Sequence, residues 1–284
     1  MVAVLDISKL SAIVFSEFVP IAAYASAVES NSIQLWRLDC GEILLNDASP
    51  LADNGVLRGQ RRMLSNSCYL IRHNRHFLLW DAGLSMSFLG RVHDDNPVSA
   101  TLARSLPSQL AEIGVQPNQI DIIAISHYHF DHVGQAGLFP QARLLISERD
   151  WAALGNHRTP FGSDRDALAH WLDGHGKVEQ IRQSLEIFKD GSVIVLNLPG
   201  HTPREQALLV KLPQTGPVIL TGDVAHLEQQ LIDRNIPTWN TDRVASLKSM
   251  GRLVGIANRF HAKIIVPHDP GDVSKLALFP AASQ

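Results

Sequence analysis

A short polar segment that follows an apolar run constrains this chain more than any other feature. Residues 126–132 read Ser-His-Tyr-His-Phe-Asp-His, so three imidazoles and one carboxylate fall within six consecutive positions. The preceding residues 120–125 are apolar except for Asp121, and their β-branched composition is typical of a buried strand. The polar cluster is therefore expected on the loop at the carboxyl end of a strand, where imidazoles and a carboxylate can converge on a cation. Zinc, iron and manganese all accept this mixture of ligands.

Three more apolar runs end in a histidine or an aspartate. Each run is predicted to be a strand, and the runs lead into His201, Asp223 and His268. The candidate metal ligands at the four strand ends are His127, His129, Asp131, His132, His201, Asp223 and His268. These seven ligands are too many for one tetrahedral zinc ion, and they suit two metal ions that share a carboxylate.

This ligand pattern resembles that of the metallo-β-lactamase superfamily in order and residue type over about residues 33–270. The resemblance implies an α+β fold of the αββα type, in which two sheets pack face to face and helices cover the outside. It also implies a division of the ligands: His127, His129 and His201 for the first metal, Asp131, His132 and His268 for the second, and Asp223 as the bridge. Residue periodicity alone predicts only a mixture of helices and strands.

The ligand set also distinguishes branches within the superfamily. The main zinc β-lactamases carry a cysteine where this chain has Asp223, and flavodiiron proteins carry a glutamate at the position of His129. Glyoxalase II adds a C-terminal helical domain, for which residues 271–284 leave no room, and the net charge of −3 does not favour the RNA-processing branch. The closest resemblance is to N-acyl-homoserine-lactone lactonases, and methyl parathion hydrolase is similar at a greater distance.

Two positions depart from the lactonase pattern. After His201-Thr202-Pro203 the family often has Gly-His, whereas this chain has Arg204 and Glu205, so a histidine that supports the metal ligands is missing. Many lactonases place a tyrosine three residues after the bridging aspartate, and here that residue is His226. Asp81, in an Asp-Ala-Gly turn, is expected either to orient a metal-bound histidine or only to cap the turn.

The resemblance predicts a dinuclear-metal hydrolase, in which a metal-bridging hydroxide opens the lactone ring of an N-acyl-homoserine lactone, a quorum-quenching activity. Two divalent metal ions are expected, with zinc as the first choice, although manganese, iron and cobalt accept the same ligands. Asp131 is expected to pass a proton to the leaving alkoxide, and His226 to donate a hydrogen bond to the carbonyl. The alternatives are an organophosphate or aryl-ester hydrolase, another small-lactone hydrolase, and a non-catalytic binding module on the same fold.

The domain organisation expected is an N-terminal arm at residues 1–32 and a single hydrolase domain at residues 33–284. Residues 10–27 are apolar and end in small residues suited to signal cleavage, but Asp6 and Lys9 leave no net positive charge before them. A cytoplasmic location is therefore expected, with export to the periplasm as the alternative. The partners expected are a small lactone or ester substrate and, by resemblance, a second copy in a homodimer, but neither nucleic acid nor a membrane.

Local patterns predict the remaining structure. Strands are expected near 33–45, 66–72, 76–80, 120–126, 142–147, 192–198, 205–212 and 217–222, and helices at 99–114 and 242–260. Residues 151–190 look helical, and Trp151, Phe161 and Trp171 within them either wall an acyl pocket or pack helices onto the sandwich. The loop 84–97 is the better candidate for a pocket wall. Cys40 and Cys68 are expected to be buried free thiols, and His73, His76, His93, His157 and His261 to lie on the surface.

Overall fold

The computed structural model describes residues 32–156 and 158–284, and within these ranges the strands form two sheets. The larger sheet contains β1 (Ile33–Leu45), β2 (Arg62–His73), β3 (His76–Trp80), β4 (Val98–Thr101), β5 (Ile120–Ala124), β6 (Arg143–Ser147) and β7 (Val178–Ile181). The smaller sheet contains β8 (Leu185–Glu186), β9 (Val193–Asn197), β10 (Gln206–Leu212), β11 (Gly216–Leu220) and β12 (Lys263–Ile265). The predicted strands are thus confirmed in place, with shifts of a few residues at their ends.

Both sheets are mixed. The larger sheet has the order β4-β1-β2-β3-β5-β6-β7, with antiparallel pairing from β4 to β3 and parallel pairing from β3 to β7. The smaller sheet has the order β12-β11-β10-β9-β8. Among its described strand pairs, β11–β12 is parallel and the other three are antiparallel. Parallel strands place their carboxyl ends at the same sheet edge, so the loops after β3, β5 and β6 leave the sheet on one side.

The helices are α1 (Leu106–Glu112), α2 (Phe130–Val133), α3 (Glu148–Leu154), α4 (Ala169–Leu172), α5 (Glu228–Asp233) and α6 (Arg243–Phe260). Helix α6 is the predicted helix at 242–260. It begins at an Asp242 side chain that accepts a hydrogen bond from the backbone N–H of Ala245, and it ends at His261, which takes a left-handed conformation.

Three buried clusters define four layers. The cluster between the sheets joins residues such as Ile71 and Trp80 of the larger sheet to Val195 and Leu208 of the smaller one. A second cluster packs α1, α3 and α4 onto the outer face of the larger sheet, and a third packs α6 onto the outer face of the smaller sheet. Because each sheet buries apolar side chains on both faces, the order of layers is helix, sheet, sheet, helix. The predicted αββα sandwich is confirmed.

Two predictions of secondary structure are wrong. The helix expected at 99–114 is only α1, because residues 98–101 form β4, where Val98 pairs with Leu45 of β1. Ser105 caps α1 by accepting a hydrogen bond from the backbone N–H of Ser108. Residues 151–190 are also not helical throughout, since β7 and β8 extend the two sheets and lie within that stretch.

The two cysteines form a disulfide, so the prediction of free thiols is wrong. Cys40 of β1 and Cys68 of β2 have Cα atoms 5.8 Å apart, and both side chains are fully buried. Cys40 lies in the irregular part of β1, where the pairing with β2 shifts between Asp39 and Glu42, and two residues before it Leu38 pairs with Cys68. The sequence separation of 28 residues carries no information about this register.

The expectation for the histidines outside the candidate site is wrong for one of them. His73 is buried, its ring stacks on Phe188 at 4.1 Å, and its Nε2 lies 2.7 Å from a carboxylate oxygen of Asp190. His76 and His261 are exposed as expected and His93 is partly exposed, whereas His157 and residues 1–31 of the arm predicted at 1–32 lie outside the described residues. In the part of the chain that the structure describes, no helix is long and apolar enough to cross a bilayer.

Candidate metal centre

Loops from both sheets bring the seven predicted ligands together at one edge of the sandwich. The loop after β5 and the single turn of α2 carry four of them, and the loops after β9, β11 and β12 carry one each. The two groups that could each hold a metal ion are His127, His129, His201 and Asp223, and Asp131, His132 and His268. All seven side chains are buried.

The first group consists of three histidines around one oxygen of Asp223. Nε2 of His201 lies 2.9 Å from Nδ1 of His129 and 3.2 Å from Oδ2 of Asp223. Nε2 of His127 lies 3.6 Å from the same Oδ2. Three imidazole nitrogens and a carboxylate oxygen therefore face one small volume, as expected for a metal bound by nitrogen and oxygen ligands.

The second group lies on the other side of the same carboxylate. Oδ1 of Asp223 is 3.3 Å from Nε2 of His132 and 3.1 Å from Nε2 of His268. The two histidine nitrogens are 3.2 Å apart, and Oδ2 of Asp131 lies 3.5 Å from Nε2 of His268. Asp223 thus presents one oxygen to each group, which is the arrangement that a carboxylate bridging two cations requires.

The donor atoms fit a pair of divalent cations. Nδ1 of His132 is paired with Oδ2 of Asp81 at 3.0 Å, Nδ1 of His201 with Oδ1 of Asn240 at 2.9 Å, and Nδ1 of His268 with the backbone oxygen of Ser65 at 2.9 Å. Each of these contacts takes the proton-bearing nitrogen away from the centre and leaves the Nε2 lone pair facing inwards. Nε2 of His127 and Oδ1 of Asp223 are buried and have no hydrogen-bond partner among the described residues.

The electrostatics of the two groups agree with this fit. Burial lowers the pKa of His127 and of His129 well below the usual range, so these imidazoles are neutral and can act as ligands. Burial also opposes a charge on His132, but Asp223 and Asp131 raise the pKa of that imidazole well above its usual value. The carboxylates of Asp131 and Asp223 therefore favour a positive charge at this place, which a cation could supply.

Asp223 itself is held in the ionised form. Burial acts to raise the pKa of Asp223, but the imidazoles of His226, His268, His132 and His201 hold it well below the usual range. The resulting carboxylate is only 2% exposed, so water stabilises its charge little. Its charge is compensated only by the groups around it.

Asp81 occupies the orienting position that the sequence indicated. It follows β3 with a φ of +61°, a left-handed conformation that aspartate adopts more readily than most residues. Its carboxylate accepts hydrogen bonds from the backbone N–H of Ser126 at 2.7 Å and from the Ser126 hydroxyl at 3.0 Å, besides the contact with His132. The turn that begins the first ligand loop is thereby fixed to the end of β3.

His226 lies inside the site. Its Nε2 is 3.0 Å from Oδ2 of Asp223, and its ring stacks on that of His268 at 5.4 Å. Its Nδ1 is buried without a hydrogen-bond partner in the described ranges. Burial lowers the pKa of His226, so the ring is neutral and carries a single N–H.

A mostly apolar cavity of about 360 Å³ opens above the two groups. Its polar lining is His129, Asp131, Asp223, His226 and His268 at one end and Asp47 elsewhere, and its apolar lining is Ile43, Leu45, Pro50, Leu51, Leu64, Pro97, Val98, Phe130, Phe161, Gly162 and Trp239. The register of the sheet explains part of this wall, because Ile43 pairs with Leu64 and Leu45 pairs with Val98. Directly paired residues point to the same face of a sheet.

The predicted pocket walls are only partly found there. Phe161 lines the cavity and is 75% exposed, whereas Trp151 and Trp171 pack against the larger sheet. Of the loop 84–97, Pro97 lines the cavity, but the larger apolar side chains of Met86, Phe88 and Leu89 do not.

Sequence reasoning missed two buried carboxyl groups. Glu205 is fully buried, and its Oε2 lies 3.2 Å from Nδ1 of His127. Burial and the charge of Asp223 raise the pKa of Glu205 well above its usual value. Its position was singled out only as the place of a missing histidine.

The other missed carboxyl group is Asp150, in α3. It accepts hydrogen bonds from the hydroxyl of Thr202 at 2.8 Å and from the backbone N–H of Arg204 at 3.0 Å, and so ties down the loop that carries His201. Burial raises the pKa of Asp150 to about 7. No signal in the sequence connects this residue to the loop, because 50 or more residues separate them.

The family follows from a match that covers most of the chain. A family model of the metallo-β-lactamase superfamily matches residues 61–271. The chain belongs to this superfamily.

The relatives in this superfamily include bacterial lactonases. The N-acyl homoserine lactonase AttM of Azorhizobium caulinodans is 31% identical over 172 residues, which cover 57% of this chain and 63% of that relative. The chain thus aligns with less than two thirds of that relative's length. The N-acyl homoserine lactonase AiiA of Bacillus thuringiensis subsp. kurstaki is 25% identical over 259 residues, which cover 87% of this chain and 97% of the relative.

A solved structure shares the fold. That of a quorum-quenching N-acyl homoserine lactone hydrolase matches with a TM-score of 0.76 at 24% identity, over 88% of this chain and 97% of the other. At this level of identity the similarity establishes the metallo-β-lactamase fold.

Proposed function

We propose that this protein is a dinuclear-metal hydrolase that opens the lactone ring of N-acyl-homoserine lactones. The observation that carries the proposal is the position of the two ligand groups, which share Asp223 at the polar end of an otherwise apolar cavity. A substrate with a compact polar ring and an apolar tail matches this cavity in both parts. The relatives named as N-acyl homoserine lactonases support the same substrate class.

We propose that His127, His129 and His201 hold one ion, that Asp131, His132 and His268 hold the other, and that Asp223 bridges them. Two divalent ions, with zinc as our first choice, would lower the pKa of water and polarise the ester carbonyl. The protein's part is to fix the donors, which the contacts of Asp81, Asn240 and Ser65 achieve on the far side of the rings.

Two side chains are suited to act on the substrate directly. Asp131 lines the cavity, and its carboxylate can carry a proton from the attacked face to the leaving alkoxide of the ring. His226 also lines the cavity and is neutral, so its N–H can donate a hydrogen bond to the substrate's carbonyl oxygen. Nε2 of His226 lies 3.0 Å from Asp223, so an N–H on Nε2 must leave that carboxylate before it can donate to the substrate. An N–H on Nδ1, which has no hydrogen-bond partner within the described residues, can donate without breaking a contact.

The apolar part of the cavity would hold the acyl chain. Leu51, Leu64 and Trp239 are among its lining residues, and each methylene transferred from water to such a surface contributes about 0.8 kcal/mol. We therefore expect the Michaelis constant to fall as the acyl chain lengthens, until the chain extends beyond the cavity.

The test is proton release from N-butanoyl- and N-dodecanoyl-homoserine lactone, followed at constant pH with zinc-reconstituted protein. We expect one proton for each lactone opened by the wild type, and only the rate of buffer alone for Asp223→Ala. Asp233→Ala is a matched control, because Asp233 is an exposed aspartate on α5, and it should keep the wild-type rate. The proposal would be refuted if the metal-loaded wild type released no protons from either lactone. Release of phenol from an aryl phosphotriester would then favour the organophosphate alternative.

A further inference from the structure

Glu205 lies where it can act on both ligand groups. It is the residue before β10, and its side chain is fully buried. One carboxylate oxygen, Oε1, accepts a hydrogen bond from the backbone N–H of Asp223 at 2.9 Å. The other, Oε2, lies 3.2 Å from Nδ1 of His127, and it is a buried oxygen without a hydrogen-bond partner within the described residues.

The surroundings of Glu205 leave this side chain little freedom. Gly222 has no Cβ, and a Cβ added there would lie 2.3 Å from Oε1 of Glu205. On the side of His127, the Ser126 hydroxyl is 3.0 Å from Nδ1 and also 3.0 Å from the carboxylate of Asp81. A hydroxyl has one proton to donate, so when Ser126 donates to Asp81, its oxygen can accept from the N–H of His127. Oε2 of Glu205 is a second possible acceptor, 3.2 Å from the same nitrogen.

We propose that Glu205 is the positioning residue of the first metal ion, because its carboxylate lies beside Nδ1 of His127, from which it can accept a hydrogen bond, and because it fixes the backbone of Asp223. The inference rests on the metal pair of the proposed function. Each ligand group then has its own buried carboxylate behind one histidine: Asp81 behind His132 and Glu205 behind His127. A carboxylate behind a metal-bound imidazole fixes the ring and makes it a stronger donor.

The identity of the residue matters to this role. The lactonase pattern has a histidine at this place, which could accept from His127 but would add no negative charge. With Glu205 the centre contains four buried carboxyl groups, Asp81, Asp131, Glu205 and Asp223, beside two proposed dications. Buried charges are tolerated when they are paired, and two dications this close would favour the carboxylate form of Glu205 over the neutral acid that burial alone favours. Glu205 would therefore strengthen binding of the first ion more than a histidine in its place could.

The experiment measures metal affinity instead of hydrolysis. Zinc content would be determined for wild type, Glu205→Gln and Asp81→Asn in a series of zinc buffers, and the absorbance of the cobalt-loaded proteins would be recorded. Glutamine is isosteric and keeps an oxygen for the N–H of Asp223, but it removes the charge. We expect Glu205→Gln to bind one ion about 10–100-fold more weakly and the other as the wild type does.

A second background assigns the weakened ion. In His201→Ala, which lacks a ligand of the first group, adding Glu205→Gln should leave the affinity of the remaining ion unchanged, whereas adding Asp81→Asn should lower it. Circular dichroism of each metal-free variant establishes that it is folded before its affinity is compared. An unchanged zinc affinity and cobalt spectrum in Glu205→Gln would overturn the inference, and so would an equal loss at both ions.

The outcome is separable from that of the proposed function. If the wild type binds two ions but opens no lactone, the proposed substrate is wrong and the affinity series still decides the role of Glu205. If the wild type binds no divalent ion, both proposals are refuted.

Discussion

A single methyl group added at Gly222 should disturb this site directly. Gly222 follows β11 and precedes Asp223, the proposed bridging residue, and its φ is +55°, a region that costs other residues about 1–2 kcal/mol. A Cβ there would lie 2.3 Å from Oε1 of Glu205, 2.7 Å from the backbone oxygen of Gln206 and 2.8 Å from Cβ of Ser126. Since one of these atoms is backbone and all belong to buried residues, the contacts cannot be relieved by a small rotation.

The expected effect of Gly222→Ala is the sum of two terms. The backbone conformation contributes about 1–2 kcal/mol, and overpacking of a dense interior contributes about 1–3 kcal/mol. Gly216→Ala separates them, because Gly216 has a φ of +82° but no heavy atom within 4 Å of its added Cβ. We therefore expect a loss of about 2–5 kcal/mol in the free energy of unfolding for Gly222→Ala and only about 1–2 kcal/mol for Gly216→Ala.

Urea unfolding of the wild type and both variants, each stripped of metal by a chelator, measures these differences directly. Metal removal is essential, because an ion bound only to the folded state would add its own stabilisation and differ between the variants. Equal losses in the two variants would refute the reasoning, since they would mean that the crowding around Gly222 relaxes without cost.

Two further predictions concern buried groups away from the ligands. Replacing both Cys40 and Cys68 by alanine opens a loop whose ends are 28 residues apart, so the free energy of unfolding, measured in urea, should fall by about 3.6 kcal/mol. Alkylation of the unreduced wild type should find no free thiol at either cysteine. Burial raises the pKa of Asp150 from 3.8 to about 7 on folding, so its contribution to stability is complete below pH 3.8 and is lost as the pH rises through 7. The difference in unfolding free energy between wild type and Asp150→Asn should therefore fall by about 4 kcal/mol at most between pH 4 and 8, and a difference that does not change with pH would contradict the assigned shift.

The candidate ligands could be grouped from the sequence because they follow apolar runs at short distances along the chain. Strand ends in a sheet that includes parallel strands meet at one edge, so a polar residue at each end has few other places to lie. His201, Asp223 and His268 come from three separate loops. Even so, Nε2 of His201 lies 3.2 Å from Oδ2 of Asp223, and Nε2 of His268 lies 3.1 Å from Oδ1 of Asp223. Local pattern therefore sufficed to locate the site.

What the sequence could not supply are the contacts that depend on register and on packing between distant segments. The pairing of Cys40 with Cys68 depends on a bulge that no residue pattern announced, and residues 98–101 form a strand only because β1 is there to pair with them. Asp150 reaches the loop of His201 because α3 packs beside it. Such contacts are set by the tertiary fold, which overrides local propensity.

The same distinction applies within the site, where Glu205 shows what a departure from a family pattern can mean. In the sequence, Glu205 is notable only because the lactonase pattern has a histidine at its position. In the structure, its carboxylate lies between His127 and Asp223. The centre holds imidazole nitrogens 2.9 and 3.2 Å apart beside several buried carboxyl groups. Buried nitrogens and carboxylates that face one another at such distances need a proton or a cation between them. Binding of the proposed ions would therefore be coupled to folding of this edge of the sandwich, and a carboxylate that strengthens ion binding would also stabilise the fold.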